Sequence, residues 1–170
     1  RADATDLVTG GCGGLGLAVA RWLAERGARH LVLLGRSGAG EEAAPALEAL
    51  CQEGVSVTVS RADVADRSDL AEVLHEIRET LPPLRGVVHA AGVIDDGLLA
   101  RLEPEHFRAV FAPKLAGAWN LHTLTRDDPL DFLVLFSSAA SVLGSPGQGN
   151  YAAANAFLDA LAHHRRAHGL

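Results

Sequence analysis

TDLVTGGCGGLGLAVARWLAERGA, residues 5 to 28, is the stretch that decides the fold. A short apolar run ends in glycines, and apolar residues at helical spacing follow, which predicts a strand, a tight turn and a helix. Glycines in such a turn let the backbone approach a pyrophosphate, which free N–H groups at the helix start then stabilise. A tight turn without a ligand has the same pattern, but the strand–turn–helix context favours dinucleotide binding. The predicted contact residues are Gly10, Gly11, Cys12, Gly13, Gly14, Leu15 and Gly16.

Strand and helix patterns alternate along the rest of the chain. Alternation of this kind predicts βαβ units and a parallel sheet covered on both faces. Right-handed crossovers favour a doubly wound α/β sheet of strand order 3-2-1-4-5. We expect the last strands of such folds to be absent from this chain. Strands are predicted at 5–10, 30–35, 55–60, 86–92 and 130–138, and helices at 15–28, 40–54, 68–81, 105–124 (bent or broken at Pro113) and 147–169.

Two residues at the end of the second predicted strand indicate which dinucleotide binds. In dinucleotide-binding folds the selective residue lies about 20 positions beyond the glycine-rich turn, and Arg36 stands 20 residues after Gly16 (36 minus 16). A carboxylate there would bind the ribose hydroxyls, whereas a guanidinium suits a 2′-phosphate. Arg36 and the following Ser37 therefore predict NADPH rather than NADH.

Composition excludes several other classes of protein. The chain of 170 residues has a formal net charge of -6, which argues against nucleic acid. It contains no apolar run of about 18 residues, so no membrane span is predicted. The two cysteines form no metal or disulfide pattern, which favours a reducing cytoplasm. Histidines near the C-terminus suit a helix end better than a metal site. Since methionine is absent, we expect the chain to be a piece of something longer.

The chain has one tyrosine, Tyr151, and one lysine, Lys114. Reduction of a ketone by hydride creates an alkoxide, and a tyrosine can protonate it when a nearby cation lowers the phenol pKa. A neighbouring hydroxyl can hydrogen-bond the developing oxyanion. Ser138 stands at a predicted strand end, 13 residues before the tyrosine (151 minus 138), although a loop or capping serine would look the same. Asn155 occupies the position, four residues after the tyrosine, where a reductase usually has its lysine.

Several separated motifs together resemble one family. LVTGGCGGLG, LLGRSG, HAAGVIDDG, PKLAGAWNLH, FSSAASVLG and GQGNYAAANAFLDAL are similar to the blocks of a short-chain dehydrogenase/reductase. More specifically, they resemble the catalytic half of a ketoreductase domain from a modular polyketide synthase or a fatty-acid-type megasynthase. The resemblance covers essentially the whole chain.

The resemblance implies a catalytic tetrad of Lys114, Ser138, Tyr151 and Asn155. In ketoreductases of megasynthases the lysine and the asparagine exchange places relative to other short-chain reductases, so Lys114 would reach the tyrosine from the preceding helix. By the same resemblance further cofactor contacts are Asp63, Val64, Ala90, Ala91 and Gly92. From spacing alone Asp63 looks like a turn residue or a helix cap, and His89 like a hydrogen-bonded core residue. Trp22 and Trp119 look like packing residues.

A loop motif bears on stereochemistry. Ile94, Asp95 and Asp96 resemble the Leu-Asp-Asp signature of B-type ketoreductases, with isoleucine in place of leucine, although paired acids in a loop could be no more than solvated charge. The tryptophan that A-type domains carry eight residues before the tyrosine is replaced by Leu143. Both signs imply a β-hydroxyl product of D configuration.

The resemblance implies an NADPH-dependent β-ketoacyl reductase whose substrate is a thioester on an acyl carrier protein. We expect residues 1–170 to be the catalytic subdomain, incomplete at its C-terminus, with the structural half of the ketoreductase and other synthase domains as neighbours. A catalytically silent structural domain is one alternative. A short-chain reductase or epimerase of a free small molecule is another. Asp6 departs from the apolar residue expected in the first strand, which would weaken packing there.

Overall fold

Five parallel strands form one sheet in the order β3-β2-β1-β4-β5. The computed structural model describes residues 1–170. The order confirms the predicted doubly wound sheet, since the chain starts in the middle and winds outward in both directions. The strands are β1 (Thr5–Thr9), β2 (His30–Gly35), β3 (Ser56–Arg61), β4 (Leu84–His89) and β5 (Phe132–Leu135).

Helices cover both faces of the sheet. One face carries α1 and α2, and the other carries α3, α5 and α7. The helices are α1 (Gly14–Glu25), α2 (Ala44–Gln52), α3 (Arg67–Thr80), α4 (Pro104–Phe111), α5 (Ala118–Leu124), α6 (Ala140–Leu143) and α7 (Gly149–Ala167). Short 3-10 turns lie at Glu41–Ala43 and Leu99–Arg101. None of these helices combines the length and apolarity that crossing a bilayer requires.

Each face of the sheet has its own apolar core. Leu7 of β1 points into the core under α3, whereas its neighbour Val8 points into the core under α1. This alternation follows from the two-residue period of a strand. Strands buried on both faces read as continuous apolar runs, which is why LVLL of β2 lacks polar residues. Because all five strands are parallel, the loops that follow them lie at one edge of the sheet.

Two strands are shorter than predicted. The prediction extended β4 to residue 92, but its last pair joins His89 to Thr9 of β1 and to Leu135 of β5. Beyond Thr9 the glycine turn begins, so the next residues of β4 have no central strand to pair with. β5 was predicted over 130–138 and spans four residues, since it pairs only with β4 and ends where that partner ends.

The helix predicted over 105–124 is interrupted at Pro113, as its proline indicated. α4 ends at Phe111, a π-helical turn follows over Ala112–Gly117, and α5 continues from Ala118. Proline has no N–H to donate to the preceding turn, so the regular ladder of hydrogen bonds is broken there. The wider turn that results carries Lys114. Single π turns inside helices occur frequently at functional sites.

The tryptophans are less buried than a packing role predicted. Trp22 is 53% exposed and Trp119 is 47% exposed. Trp22 contributes to an entirely apolar groove, which we call the α1–β5 groove, between α1 and the strands β4 and β5. Its lining consists of Ala18, Val19, Trp22, Leu23, Val88, Phe132, Val134 and Phe136. The sheet is therefore only partly covered on the α1 side, next to β5.

Asp6 is a buried carboxyl in the central strand, where an apolar residue was expected. It is 3% exposed and takes part in none of the ion pairs of the protein. A Cβ added to Gly86 on the neighbouring strand would come within 2.0 Å of its Oδ1 and within 2.3 Å of the Phe132 ring. Burial raises the pKa of the Asp6 carboxyl, and the charge of Asp131 adds to this while the N-terminus opposes it.

Candidate active site

The turn after β1 brings backbone close to backbone. Gly10 has φ of 67°, and a Cβ there would lie 2.8 Å from the backbone nitrogen of Ala91 at the end of β4. A Cβ on Gly16 would lie 2.1 Å from the carbonyl oxygen of Gly10. Only glycine fits at both positions, because real Cβ atoms do not approach other atoms so closely. The turn therefore lies flat against the sheet edge, where Gly11 N donates to the Leu34 carbonyl at 3.2 Å and Gly13 N donates to the Gly10 carbonyl at 3.1 Å.

The N-terminus of α1 is open to an anion. Gly13 stands at the N-cap position without a side chain to cap the helix, and the first turn contains no acidic residue. The unsatisfied N–H groups and the helix dipole favour negative charge at this point. The predicted contact residues Gly11, Cys12 and Gly14 lie on the turn or at the helix start, and Leu15 is half exposed.

A cavity at the same sheet edge brings several predicted cofactor residues together. Arg36, which follows β2, and Pro113 of the π-helical turn stand on its wall. The predicted Ser37 and Ala90 lie beside this cavity rather than on its wall. The full lining is Gly10, Leu34, Gly35, Arg36, Ala62, Asp63, Val64, Ala91, Gly92, Val93 and Pro113. A cleft between the glycine turn and the ends of β2, β3 and β4 suits the adenosine half of a dinucleotide.

Asp63 does serve as a turn residue, as spacing alone predicted. Its Oδ1 accepts a hydrogen bond of 2.9 Å from the backbone nitrogen of Ala65, and its own nitrogen donates to Asp69 Oδ2 at 3.0 Å. These bonds hold the segment after β3 in place. Val64 beside it is buried in the core under α3. The turn thus presents both residues to the cavity in a fixed position.

The central group of the site joins three predicted residues. Lys114 Nζ donates to Asn155 Oδ1 at 2.9 Å and lies 5.3 Å from the centroid of the Tyr151 ring. Asn155 Nδ2 in turn donates to the Tyr151 carbonyl at 2.8 Å, one helical turn earlier on α7. The lysine and the asparagine therefore meet from different helices. An ammonium near a phenol is the arrangement that stabilises a phenolate.

Lys114 is buried without a carboxylate partner. It is 5% exposed, and its second acceptor is the carbonyl oxygen of Phe136 at 3.0 Å. Burial lowers the pKa of the Lys114 amine. An ammonium has three N–H donors, so one remains for a ligand after these two hydrogen bonds. A Cβ on Gly92 would lie 3.1 Å from Lys114 Cε, so this glycine leaves room for the side chain.

Ser138 lies just beyond the end of β5, at the same edge of the sheet. Its Oγ accepts a hydrogen bond of 3.2 Å from the backbone nitrogen of Ala140 at the start of α6. The adjacent Ser137 donates to the Asn155 carbonyl at 3.2 Å, which ties this loop to α7. The Ser138 hydroxyl keeps its own hydrogen free to donate to a ligand.

His89 ends β4 directly behind the π-helical turn. Its Nδ1 is 2.7 Å from Thr9 Oγ1, whereas its buried Nε2 has no hydrogen-bond partner. Burial and, to a smaller extent, the charge of Lys114 lower the pKa of His89 to about 4, although the backbone of Pro113 acts in the opposite direction. The imidazole is therefore neutral at physiological pH. His89 is a core residue, as predicted, and only one of its nitrogens is hydrogen-bonded.

Asn150 is a site residue that sequence reasoning missed. It is fully buried, and its Nδ2 donates to the carbonyl oxygens of Asp95 at 2.8 Å and His106 at 3.2 Å. Its Oδ1 accepts from the backbone nitrogen of Tyr151 at 2.8 Å. Asn150 thus fixes the predicted stereocontrol loop to the helix that carries the tyrosine. An asparagine at a helix start also looks like a cap, so only the fold reveals this link.

The stereocontrol loop is held at two further points, and at one of them Gly97 N, next to Asp96, donates to the Gly147 carbonyl at 2.8 Å. Asp96 Oδ2 accepts from Gln148 Nε2 at 2.9 Å. Ile94 of this loop is 65% exposed, and Leu143 at the end of α6 is 82% exposed. The two apolar residues among the predicted stereocontrol positions are thus largely exposed. No group of three or more His, Cys, Asp and Glu side chains is arranged to hold a metal ion.

Comparisons with known proteins cover nearly the whole chain. A family model described as KR domain matches residues 4–170. The chain is 51% identical over 168 residues to the reducing polyketide synthase PKS1 of Cochliobolus heterostrophus, covering 98% of the chain and 7% of that protein. It is 48% identical over 171 residues to a phenolphthiocerol synthesis polyketide synthase of Mycobacterium tuberculosis whose name includes the word "inactive". There the match covers 99% of the chain and 11% of the relative.

Solved structures share the fold closely. A structure described as A-type ketoreductases from a modular polyketide synthase superposes with a TM-score of 0.93 at 52% sequence identity. The superposition covers 98% of the chain and 35% of that protein. The chain thus spans about a third of this structure and about a tenth or less of the two curated relatives.

Proposed function

The chain belongs to the KR domain family, the ketoreductase domains of polyketide synthases, and on that premise we propose the reaction that it catalyses. It reduces a β-ketoacyl thioester on an acyl carrier protein to the β-hydroxyacyl thioester, with NADPH as reductant, during polyketide or fatty-acid-type chain extension. The observation that carries the proposal is the hydrogen bond between Lys114 and Asn155 beside the Tyr151 ring. Residues from two helices provide the cation and the amide that this chemistry needs.

Each residue of the tetrad has a role in this reaction. NADPH supplies the hydride that the β-carbon accepts. Tyr151 donates its hydroxyl proton to the oxygen that becomes an alkoxide, and solvent restores that proton. The Lys114 ammonium stabilises the resulting phenolate, and its remaining N–H would be available to the ribose of a bound cofactor. Ser138 donates a hydrogen bond to the developing oxyanion. Asn155 positions Lys114 by accepting one of its hydrogen bonds.

NADPH suits the residues of the cavity. The glycine turn and the uncapped start of α1 suit a pyrophosphate, because neither a side chain nor a negative charge obstructs it. Arg36 lines the cavity where the adenosine ribose would lie, and its guanidinium can bind a 2′-phosphate. We propose that the chain is the catalytic subdomain of the ketoreductase. Its neighbours would be the structural half and other synthase domains, in the cytoplasm, which suits two free cysteines.

The decisive test replaces Tyr151 by phenylalanine in the full-length native protein. Reduction of a pantetheine β-ketothioester, followed by NADPH absorbance, should fall at least about a thousandfold, since the proton donor is gone. NADPH affinity, followed by cofactor fluorescence, should change less than about threefold because the ring remains. Lys114→Ala should also abolish reduction. Full activity in either variant would overturn the assignment of the tetrad.

We further propose B-type stereochemistry, with a β-hydroxyl of D configuration. The proposal rests on Ile94, Asp95 and Asp96 and on Leu143 in place of the A-type tryptophan, and the 52% identity to a structure described as A-type stands against it. Chiral chromatography of the product of the native protein decides between the two. A product of L configuration would show that the loop signature misleads here.

A catalytically silent structural domain is the alternative function. One observation favours this alternative: the name of the M. tuberculosis relative includes the word "inactive". Against it, the chain retains the glycine turn and a hydrogen-bonded Lys114–Asn155 pair. A fluorescence titration of the native protein with NADPH separates the two, because a silent scaffold need not bind it. A reductase or epimerase of free small molecules would instead prefer free ketones to carrier-bound β-ketothioesters.

A further inference from the structure

Arg61, the last residue of β3, lies beside the turn that carries Arg36. β2 and β3 are parallel, and their register pairs Gly35 with Arg61. Arg61 Nε donates a hydrogen bond of 3.1 Å to the backbone carbonyl of Arg36. Both arginines therefore stand at the carboxyl edge of the sheet. Arg36 lines the cavity described above, and Arg61 lines a second cavity beside α3; Ala62 is on the wall of both.

The two guanidinium groups have no anionic partner within the protein. Neither arginine takes part in any of its ion pairs. Asp63 accepts from Ala65 and Asp69 accepts from Asp63. Glu72 and Glu76 line a second cavity together with Arg61 but form no ion pair with it. The hydrogen bond of Arg61 uses only Nε, so both of its Nη groups remain available. Two unpaired cations at one turn stand out in a chain of net charge -6.

We propose that Arg61 is a second binding residue for the 2′-phosphate of NADPH, beside Arg36. The inference rests on the proposed function and adds a specificity-determining residue to it. The Nε hydrogen bond orients the guanidinium against the Arg36–Ser37 turn, so its Nη groups lie within reach of a phosphate bound there. Two guanidinium groups match the two negative charges and the several acceptor oxygens of a phosphate. NADH has a neutral hydroxyl in place of this phosphate, so it offers Arg61 no anionic group at the same position.

A purely structural role for Arg61 makes a different prediction. If Arg61 only caps the carbonyl of Arg36, then its removal should disturb the turn and weaken NADPH and NADH alike. If Arg61 binds the phosphate, then only ligands that carry a 2′-phosphate should lose affinity. Adenosine 2′,5′-bisphosphate and adenosine 5′-monophosphate make the same comparison without the nicotinamide.

The experiment measures binding to the full-length native protein and to two variants, Arg61→Gln and Arg26→Gln. Arg26 is the matched control, because it lies at the far end of α1 and stacks on Trp22. Arg61→Gln should weaken NADPH and adenosine 2′,5′-bisphosphate about tenfold and NADH less than about twofold. Its NADPH affinity should also depend less on salt. Arg26→Gln should leave all these affinities unchanged.

Each outcome separates this inference from the proposed function. Unchanged NADPH affinity in Arg61→Gln, with normal binding by the unmodified protein, overturns the inference and leaves the reductase intact. Equal losses for NADPH and NADH overturn it as well, in favour of the structural role. A protein that binds neither dinucleotide overturns the proposed function together with the inference.

Discussion

At the scale of single residues, the pairing of Lys114 with neutral oxygens is the most consequential contact. The ammonium donates to one amide and one carbonyl oxygen and has no carboxylate beside it. A carboxylate would hold the charge more strongly, but it would also compete with a phenolate for the same N–H groups. Neutral acceptors position the amine and leave its charge available to the reacting oxygen. Since burial lowers the pKa of the amine, the site contains a cation that a negative ligand stabilises.

Asp6 provides a test of stability at the same scale. Burial raises the pKa of its carboxyl above the ordinary value of 3.8, so the folded state holds this proton more tightly than the unfolded state. The contribution of Asp6 to the unfolding free energy is therefore favourable at low pH and is lost as the pH rises through the folded-state pKa. We expect Asp6→Val to raise the unfolding free energy by about 1–3 kcal/mol at pH 8. The gain should be smaller at pH 4.

Urea unfolding at several pH values measures this difference. Asp6→Asn is the matched control, because it removes the charge but keeps a polar group of the same size. It should lose the pH dependence and gain less stability than Asp6→Val. A gain that is the same at pH 4 and pH 8 would mean that folding does not raise the pKa of Asp6.

At the scale of elements, the π-helical turn depends on one glycine. Gly117 ends the turn, and a Cβ there would lie 2.8 Å from Val64 Cγ1 and 3.4 Å from His89 Cε1. Alanine gains about 1 kcal/mol of helix propensity over glycine, but overpacking a core costs about 1–3 kcal/mol. Because the contact with Val64 is so close, we expect the cost of overpacking to exceed the gain in helix propensity.

We therefore expect Gly117→Ala to lower the unfolding free energy by about 1–2 kcal/mol. It should also reduce turnover, because Lys114 shares the turn. The stability control is Gly14→Ala, since a Cβ on Gly14 at the start of α1 meets nothing within 4 Å. Equal stabilities of the two variants in urea would show that the core around Val64 yields without cost.

At the scale of the whole molecule, the α1–β5 groove leaves one face of the sheet partly uncovered. Val134 is 43% exposed on the outer strand of this groove, and Trp22 is half exposed on its other side. Exposed apolar patches bind other apolar surfaces. A lysine on an outer strand discourages such association.

For the 170-residue chain we expect Val134→Lys to reduce the fluorescence of a bound hydrophobic dye at least roughly twofold and to reduce self-association. Val59→Lys on the opposite outer strand is the control, because its side chain is also partly exposed and lies outside the groove. The two variants should have the same circular dichroism. Dye binding that falls equally in both would argue against a special role of the groove.

The sequence predicted the fold more completely than the site. Strand order follows from the alternation of patterns, and Arg36 follows from its distance to the glycine turn, because both depend on local sequence and on general rules of chirality. The Asn150 link and the position of Arg61 depend on contacts between distant segments. The exposure of Trp22 depends on which helix crosses which strand. These properties depend on tertiary packing, so local sequence patterns do not predict them.

The π-helical turn at Ala112–Gly117 has a consequence for how such a site can evolve. A π turn holds one more residue than an α turn, and each residue added to a helix rotates the following side chains by about 100°. The direction in which the Lys114 side chain points therefore depends on the number of residues in the helix as well as on their identity. Loss or gain of a single codon here would turn the lysine toward or away from the tyrosine, so ancestry in this region is best traced through insertions and deletions.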